Sequence, residues 1–194
     1  FYDESKFIVL ESKQIKNILS SGKPTRDIVY VKGQFGGEIL HVFVNHWPSN
    51  YGGREQAIPK RAETARFVRE IVEKILNEDT KAEILLMGDF NEGPNEQNIQ
   101  YLAKDILINL MKPFTGKKGV GTYVYRGQDS LLDQFIASSG LLDDQGLKIE
   151  DNAVSILDLP KYRQQRGKYQ HYPFRFWAGE KLLGGYSDHL AISV

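Results

Sequence analysis

The chain has 194 residues, 41% of them hydrophobic and 26% charged, with 25 basic and 25 acidic side chains and no cysteine. That length and composition describe a globular protein able to bury a real core, one domain or most of one. Balanced charge supplies no global field for a polyanion, the lack of cysteine excludes disulfides and thiolate metal sites, and no apolar run approaches the roughly 18 residues of a transmembrane helix.

The opening residues, FYDESKFIVLE, give an aromatic pair, a turn at Asp3 to Ser5 and a strand over Lys6 to Leu10, a start that reads as the middle of a fold. Asp27 to Lys32 and Glu38 to Asn45 are rich in β-branched and aromatic residues. The intervening GQFGG supplies turn glycines, so the two segments form a hairpin. From Pro59 to Asn77 the apolar residues Ala62, Ala65, Val68, Ile71, Val72, Ile75 and Leu76 recur at threes and fours, an amphipathic helix with Pro59 in its first turn. Glu83 to Met87 is a continuous apolar run after its first residue and predicts a central strand covered on both faces. A weaker helix follows over Glu96 to Ala103. Further strands are predicted at Thr122 to Tyr125, Asp133 to Ala137, Ala153 to Leu157 and His189 to Ile192. Between Lys161 and Gly185 lies a segment of mixed basic and aromatic residues, too long for a connector.

Three strand ends carry polar groups. Asn45 and His46 open NHWPSN, Asp89 and Asn91 lie in GDFNEGP, and Ser187, Asp188 and His189 follow Gly184 and Gly185. Each cluster alone has a bland reading: Asp-x-Asn starts turns and caps helices, and a histidine at a strand end is usually a satisfied hydrogen-bonder. Three such clusters of carboxylate, amide and imidazole are harder to attribute to chance. Their hard oxygen ligands suit Mg²⁺ or Mn²⁺ better than zinc. Arg54, Lys60 and Arg61 beside NHWPSN have the chemistry to bind phosphate, and arginines at a helix start are also ordinary surface residues. KYRQQRGKYQHYPFRFW suits a nucleic-acid strand held by charge and stacking, or equally a lid packing Tyr172, Phe174, Phe176 and Trp177 onto the sheet edge.

NHWPS at 45 to 49, GDFNEGP at 88 to 94, LLDQFIAS at 131 to 138 and GGYSDHLAI at 184 to 192, in that order, resemble the endonuclease/exonuclease/phosphatase superfamily of metal-dependent phosphoester hydrolases, its bacterial-type members in particular. The resemblance implies an α/β fold, a four-layer sandwich of the deoxyribonuclease-like type, present here as a single domain over 1–194. It implies that Asp89 orients or deprotonates the attacking water and that Asn91 holds the water or a phosphoryl oxygen. His189 would face the phosphate with Asp133 behind it, and His46 would be the second imidazole. Asp188 would contribute to an Mg²⁺ or Mn²⁺ site, with Asn45, Arg54 and Arg61 around the substrate. The proton acceptor is left open between Asp89 and His189. The family's first motifs, including the glutamate that is a principal metal ligand, find no counterpart. The expectation is therefore a chain that lacks the N-terminal third of the fold and is impaired alone. Nucleic acid, a phospholipid headgroup and a small phosphate ester all stay open as substrates. The alternative is a silent binding module on the same fold, against which the retention of six polar groups at strand ends argues.

Overall fold

The computed structural model describes residues 2–194. β1 (Phe7–Ile15), β2 (Ile28–Phe35) and β3 (Glu38–His46) are successive antiparallel neighbours. Helix α1 (Arg54–Glu78) then returns the chain to β4 (Glu83–Asp89), which lies parallel to β3. After α2 (Gln97–Ala103) come β5 (Ile108–Asn109), the hairpin of β6 (Tyr123–Tyr125) and β7 (Gln128–Ser130), and β8 (Asp133–Ala137) antiparallel to β4. These build a 6-stranded mixed sheet of order β1-β2-β3-β4-β8-β5, with β6 and β7 outside it. β9 (Ser155–Ile156) pairs with β12 (Ile192–Ser193), and β10 (Trp177–Ala178) with β11 (Lys181–Leu182).

Alternation along the central strands divides the core in two. One face of the sheet sends Ile28, Tyr30, Phe43, Ile84, Leu86 and Ile136 against Ala65, Val68 and Val72 of α1 and Ile99 and Leu102 of α2. The opposite face sends Leu85, Phe135 and Ala137 against Leu141, Val154 and Ile192. Burial of each aliphatic side chain contributes about 1.5–3 kcal/mol. No helix among the described residues is long and apolar enough to cross a membrane.

Several boundaries differ from the sequence reading. α1 starts at Arg54, ahead of Pro59, because Gly52 and Gly53 turn the chain with positive φ and Ala57 is already buried; Pro59 lies inside the helix. β1 runs on to Ile15, past a bulge between Val9 and Glu11, as an exposed edge strand whose side chains lack the apolar alternation that would mark its length. The last strand begins only at Ile192, because the residues before it leave the β9 ladder: His189 bridges to Tyr123 and Leu190 donates its N–H to the Thr122 carbonyl. The second sheet of the expected sandwich is represented among the described residues by the short β9–β12 pair. Of the aromatic residues in the segment read either as a nucleic-acid contact or as a lid, Phe176 and Trp177 stand half exposed at the β10–β11 hairpin.

Behind the ends of β3 and β4 lies a buried polar network. Arg61, fully buried on α1, donates through Nε to Glu92 Oε1 at 2.8 Å and through Nη1 to the Pro48 carbonyl at 2.9 Å and Asn50 Oδ1 at 3.0 Å. Asn98 of α2 donates to the same Glu92 oxygen at 2.8 Å, and Gln134 of β8 donates to the Glu92 carbonyl. One guanidinium therefore ties the loop after β3 to the loop after β4. Arg61 Nη2 and Glu92 Oε2 are buried without hydrogen-bond partners, so the pair is expensive to keep and more expensive to break. Arg61→Ala is expected to cost about 3–5 kcal/mol in urea unfolding, whereas Arg61→Met combined with Glu92→Met recovers most of that loss by removing both charges.

Candidate active site

Register builds the site. His46 of β3 lies opposite Asp89 of β4, and Asp89 lies opposite Asp133 of β8, so three adjacent strand ends set these residues in one row. Their strand parity is that of Leu85 and Phe135, so the row stands on the face turned away from the helices. The neighbouring row, Asn45, Gly88 and Gln134, has the opposite parity and points into the helix-side core. A Cβ at Gly88 would collide with the Asn45 carbonyl, and φ is +121° there, so glycine lets β4 pass close to β3 just before Asp89.

Asp89 is fixed by the turn that follows it. Its Oδ1 accepts the Asn91 backbone N–H at 2.8 Å, and its Oδ2 accepts Asn91 Nδ2 at 3.0 Å. Asn91 holds a left-handed φ of 52°, which asparagine tolerates, and its amide nitrogen also donates to the Trp47 carbonyl at 3.1 Å. Trp47 returns its N–H to the Asp89 carbonyl at 2.9 Å. Both amide hydrogens of Asn91 are thereby committed, to Asp89 and to the Trp47 carbonyl. Asn45 faces away from the row: it is buried, bonded to the Phe43 carbonyl and to Trp47 Nε1, because it sits one residue out of phase with His46.

His189 reaches the row from a different segment. Its Nδ1 lies 2.6 Å from Asp133 Oδ2, and its ring stacks at 4.8 Å on Tyr123. Thr122, which the sequence reading placed in a strand and gave no role in the site, holds this arrangement. Its Oγ1 accepts the N–H groups of Leu132 and Asp133, both at 3.2 Å, while its carbonyl accepts the Leu190 N–H at 2.7 Å. One buried residue thereby fixes the carboxylate segment to the imidazole segment. No local sequence signal marks it, since its partners are brought to it by tertiary pairing.

Electrostatics separates the groups. Burial raises the pKa of Asp89, with the Asn91 hydrogen bond and the His189 charge opposing and Asp133 reinforcing the rise. For His189, burial pulls downward but is outweighed by the hydrogen bond and charge of Asp133, with help from Asp89 and Asp188, and the net shift is upward. Burial lowers His46, whose Nε2 lies 3.5 Å from Asp89 Oδ2; Asp89 opposes the shift, and the charges of Arg26 and His189 add to it. Asp89, Asp133 and His189 offer ligand atoms within 4.8 Å of one another. Two carboxylates at that separation repel unless a proton or cation intervenes, and their oxygens match a hard divalent ion. Asp188 lies outside that group, with its side chain about half exposed and 3.8 Å from Arg175. Of the arginines expected at substrate, Arg61 is enclosed in the network above and Arg54 is paired with Glu96 at 2.6 Å.

Comparison with solved structures shows the same fold. Truncated TDP2 from Caenorhabditis elegans matches with a TM-score of 0.62 and 19% identity, over 96% of this chain and 65% of that one. The human nocturnin catalytic domain with bound sulfate matches with a TM-score of 0.60 and 16% identity, over 99% and 60%. A mannosyl-6-phosphatase from Bacteroides thetaiotaomicron matches with a TM-score of 0.59 and 18% identity, over 99% and 67%. The chain thus spans 65% of the length of the truncated worm chain and 60% of the human domain. No curated protein matches the sequence. The family model described as the endonuclease/exonuclease/phosphatase family matches residues 1–194, and the chain belongs to that family.

Proposed function

We propose that the protein is a Mg²⁺- or Mn²⁺-dependent phosphoester hydrolase that cleaves a phosphodiester or phosphomonoester by attack of water. The observation that carries this reading is the row His46, Asp89 and Asp133 on neighbouring strand ends, closed by His189 on Asp133 at 2.6 Å. Membership of a family of phosphoesterases supports it. A neighbour solved with a single-strand DNA product and a neighbour that is a phosphatase are consistent with either kind of substrate.

Asp89, partly buried and with a raised pKa, is the group suited to accept the proton of the attacking water as the new oxygen–phosphorus bond forms and the bond to the leaving oxygen breaks. Asn91 keeps that carboxylate aimed. His189, with Nδ1 bound to Asp133, turns Nε2 to the phosphoryl oxygens, and its raised pKa favours the imidazolium that neutralises their developing charge. His46 lies on the other side of Asp89 as the second imidazole, toward the phosphoryl oxygens or the leaving group. Asp89 and the second oxygen of Asp133 are the residues that would hold a divalent ion, which when bound supplies charge neutralisation at phosphorus.

The 194 residues act, in this proposal, as one domain forming the C-terminal two-thirds of the complete fold, with a further carboxylate ligand supplied from outside them. Its support is the sheet face carrying the catalytic row, where Val9 of β1 and Val29 of β2 remain exposed to solvent as apolar surface that an additional layer would cover.

In a chromogenic phosphodiester assay, EDTA abolishes turnover by the full-length protein and Mg²⁺ or Mn²⁺ restores it, while Asp89→Asn or His189→Ala lowers kcat by about 10²-fold or more. Unchanged turnover in either variant would overturn the assignment of roles. The pH profile carries a second expectation. A raised pKa keeps His189 protonated over a wider range, so activity dependent on the imidazolium is lost as pH rises through it. Asp133→Asn removes the largest of the contributions that raise it, while Asp89 and Asp188 remain and burial still lowers it, so the alkaline limb of kcat/KM moves to lower pH.

A further inference from the structure

The hydrogen bond that joins the His189 ring to the catalytic row holds one atom of it: Nδ1 lies 2.6 Å from Asp133 Oδ2. The torsion that turns an imidazole about its Cβ–Cγ bond is broad, so a contact at Nδ1 alone leaves the plane of the ring free to rock. Nε2, on the far side of the ring from Asp133, is displaced by that rocking, and it is the nitrogen turned to the phosphoryl oxygens in the proposed chemistry.

Tyr123 supplies the missing constraint. Its ring centroid lies 4.8 Å from that of His189 and the two planes are tilted by 35°, so the phenol covers one face of the imidazole. The contact follows from backbone pairing. Tyr123 and His189 are opposite each other in an antiparallel bridge, which sets their side chains next to one another. The mounting is firm on both sides. Thr122, the preceding residue, accepts the Leu190 N–H at its carbonyl at 2.7 Å and the Asp133 N–H at Oγ1 at 3.2 Å, and Tyr123 itself pairs with Ser130 in the β6–β7 hairpin. The ring is therefore carried by backbone bonded to the segments of both Asp133 and His189. Val124 is buried, while the Tyr123 side chain stands partly exposed beside the imidazole.

We propose that Tyr123 is a positioning residue of this site, the face of its ring setting the plane of the His189 imidazole so that, with Asp133 at Nδ1, Nε2 is aimed at the substrate. A hydrogen bond in the plane of the ring and a packed surface against its face together fix an orientation that neither fixes alone. The role belongs to the ring face, which phenylalanine has and leucine lacks. What Nε2 meets rests on the phosphoester-hydrolase reading; the hold of Tyr123 on the imidazole does not.

The test combines turnover with a spectrum that needs none, both on the full-length protein. With a chromogenic phosphodiester in Mg²⁺, Tyr123→Leu is expected to lower kcat about tenfold with KM nearly unchanged, and Tyr123→Phe to keep most of the parent rate. In a His189→Ala background Tyr123→Leu should cost nothing further, because its effect passes through the imidazole. In metal-free protein, the ring C–H resonances of His189 in a proton–carbon correlation spectrum should carry an upfield ring-current displacement that Tyr123→Phe keeps and Tyr123→Leu loses. An unchanged kcat in Tyr123→Leu, an equal loss in Tyr123→Phe, or the same tenfold loss without His189 overturns the proposal, as does a His189 spectrum indifferent to Tyr123→Leu. A parent protein that turns over no phosphoester but shows the Tyr123-dependent displacement removes the hydrolase reading and keeps the hold on His189; turnover without that displacement does the reverse.

Discussion

The site depends on the register of three strands. Because β3, β4 and β8 pair so that His46, Asp89 and Asp133 are mutual neighbours, no loop has to fold back to assemble these groups. A slip of one residue in β4 would turn Asp89 into the helix-side core and bring Gly88 to the catalytic face. The apolar pattern forbids that slip, since it would also exchange the two sets of core side chains: Ile84 and Leu86 pack on the helices, and Leu85 packs on the opposite layer. Core packing and catalytic geometry are therefore specified by the same choice.

That constraint explains the electrostatics. A row of strand ends brings two carboxylates close together whether or not they are comfortable there, and the surrounding groups answer with compensation. Asn91 donates twice to Asp89, and His189 takes one oxygen of Asp133. What is left is a partly buried carboxylate with a raised pKa beside an imidazole with a raised pKa.

The central strands and α1 were legible because their apolar periods are long and unbroken, and so were the places of His46 and Asp89 at the end of such strands and of Asp133 at the start of one. What the sequence reading missed divides by cause. Asn45 was expected beside substrate, and strand parity, which the sequence contains, puts it on the opposite face from His46. The inward turn of Arg61 was hidden because its partner Glu92 lies far away in sequence, and only the packed α1 shows it. Thr122 could not be singled out, since it acts through backbone groups of distant segments. The extent of β1 was hidden by its position at the sheet edge, where solvent exposure removes the alternation that marks a strand.

The two faces of the sheet consequently do different jobs at the same strand ends. On the catalytic face the groups are partly exposed and chemically free, apart from the bonds that aim them. On the helix face, Arg61, Glu92, Asn98 and Gln134 form a buried network joining the loop after β3, the loop after β4, both helices and β8. A buried ion pair is weak evidence for stability, because desolvation offsets most of its attraction. Its value here is geometric: the guanidinium can satisfy Pro48, Asn50 and Glu92 together only when the two loops stand at one separation, and that separation is also the one at which His46 meets Asp89. Substituting an apolar filler of equal volume would keep the core packed while releasing this condition, so the network specifies the distance across the active site more than it adds to the free energy of folding.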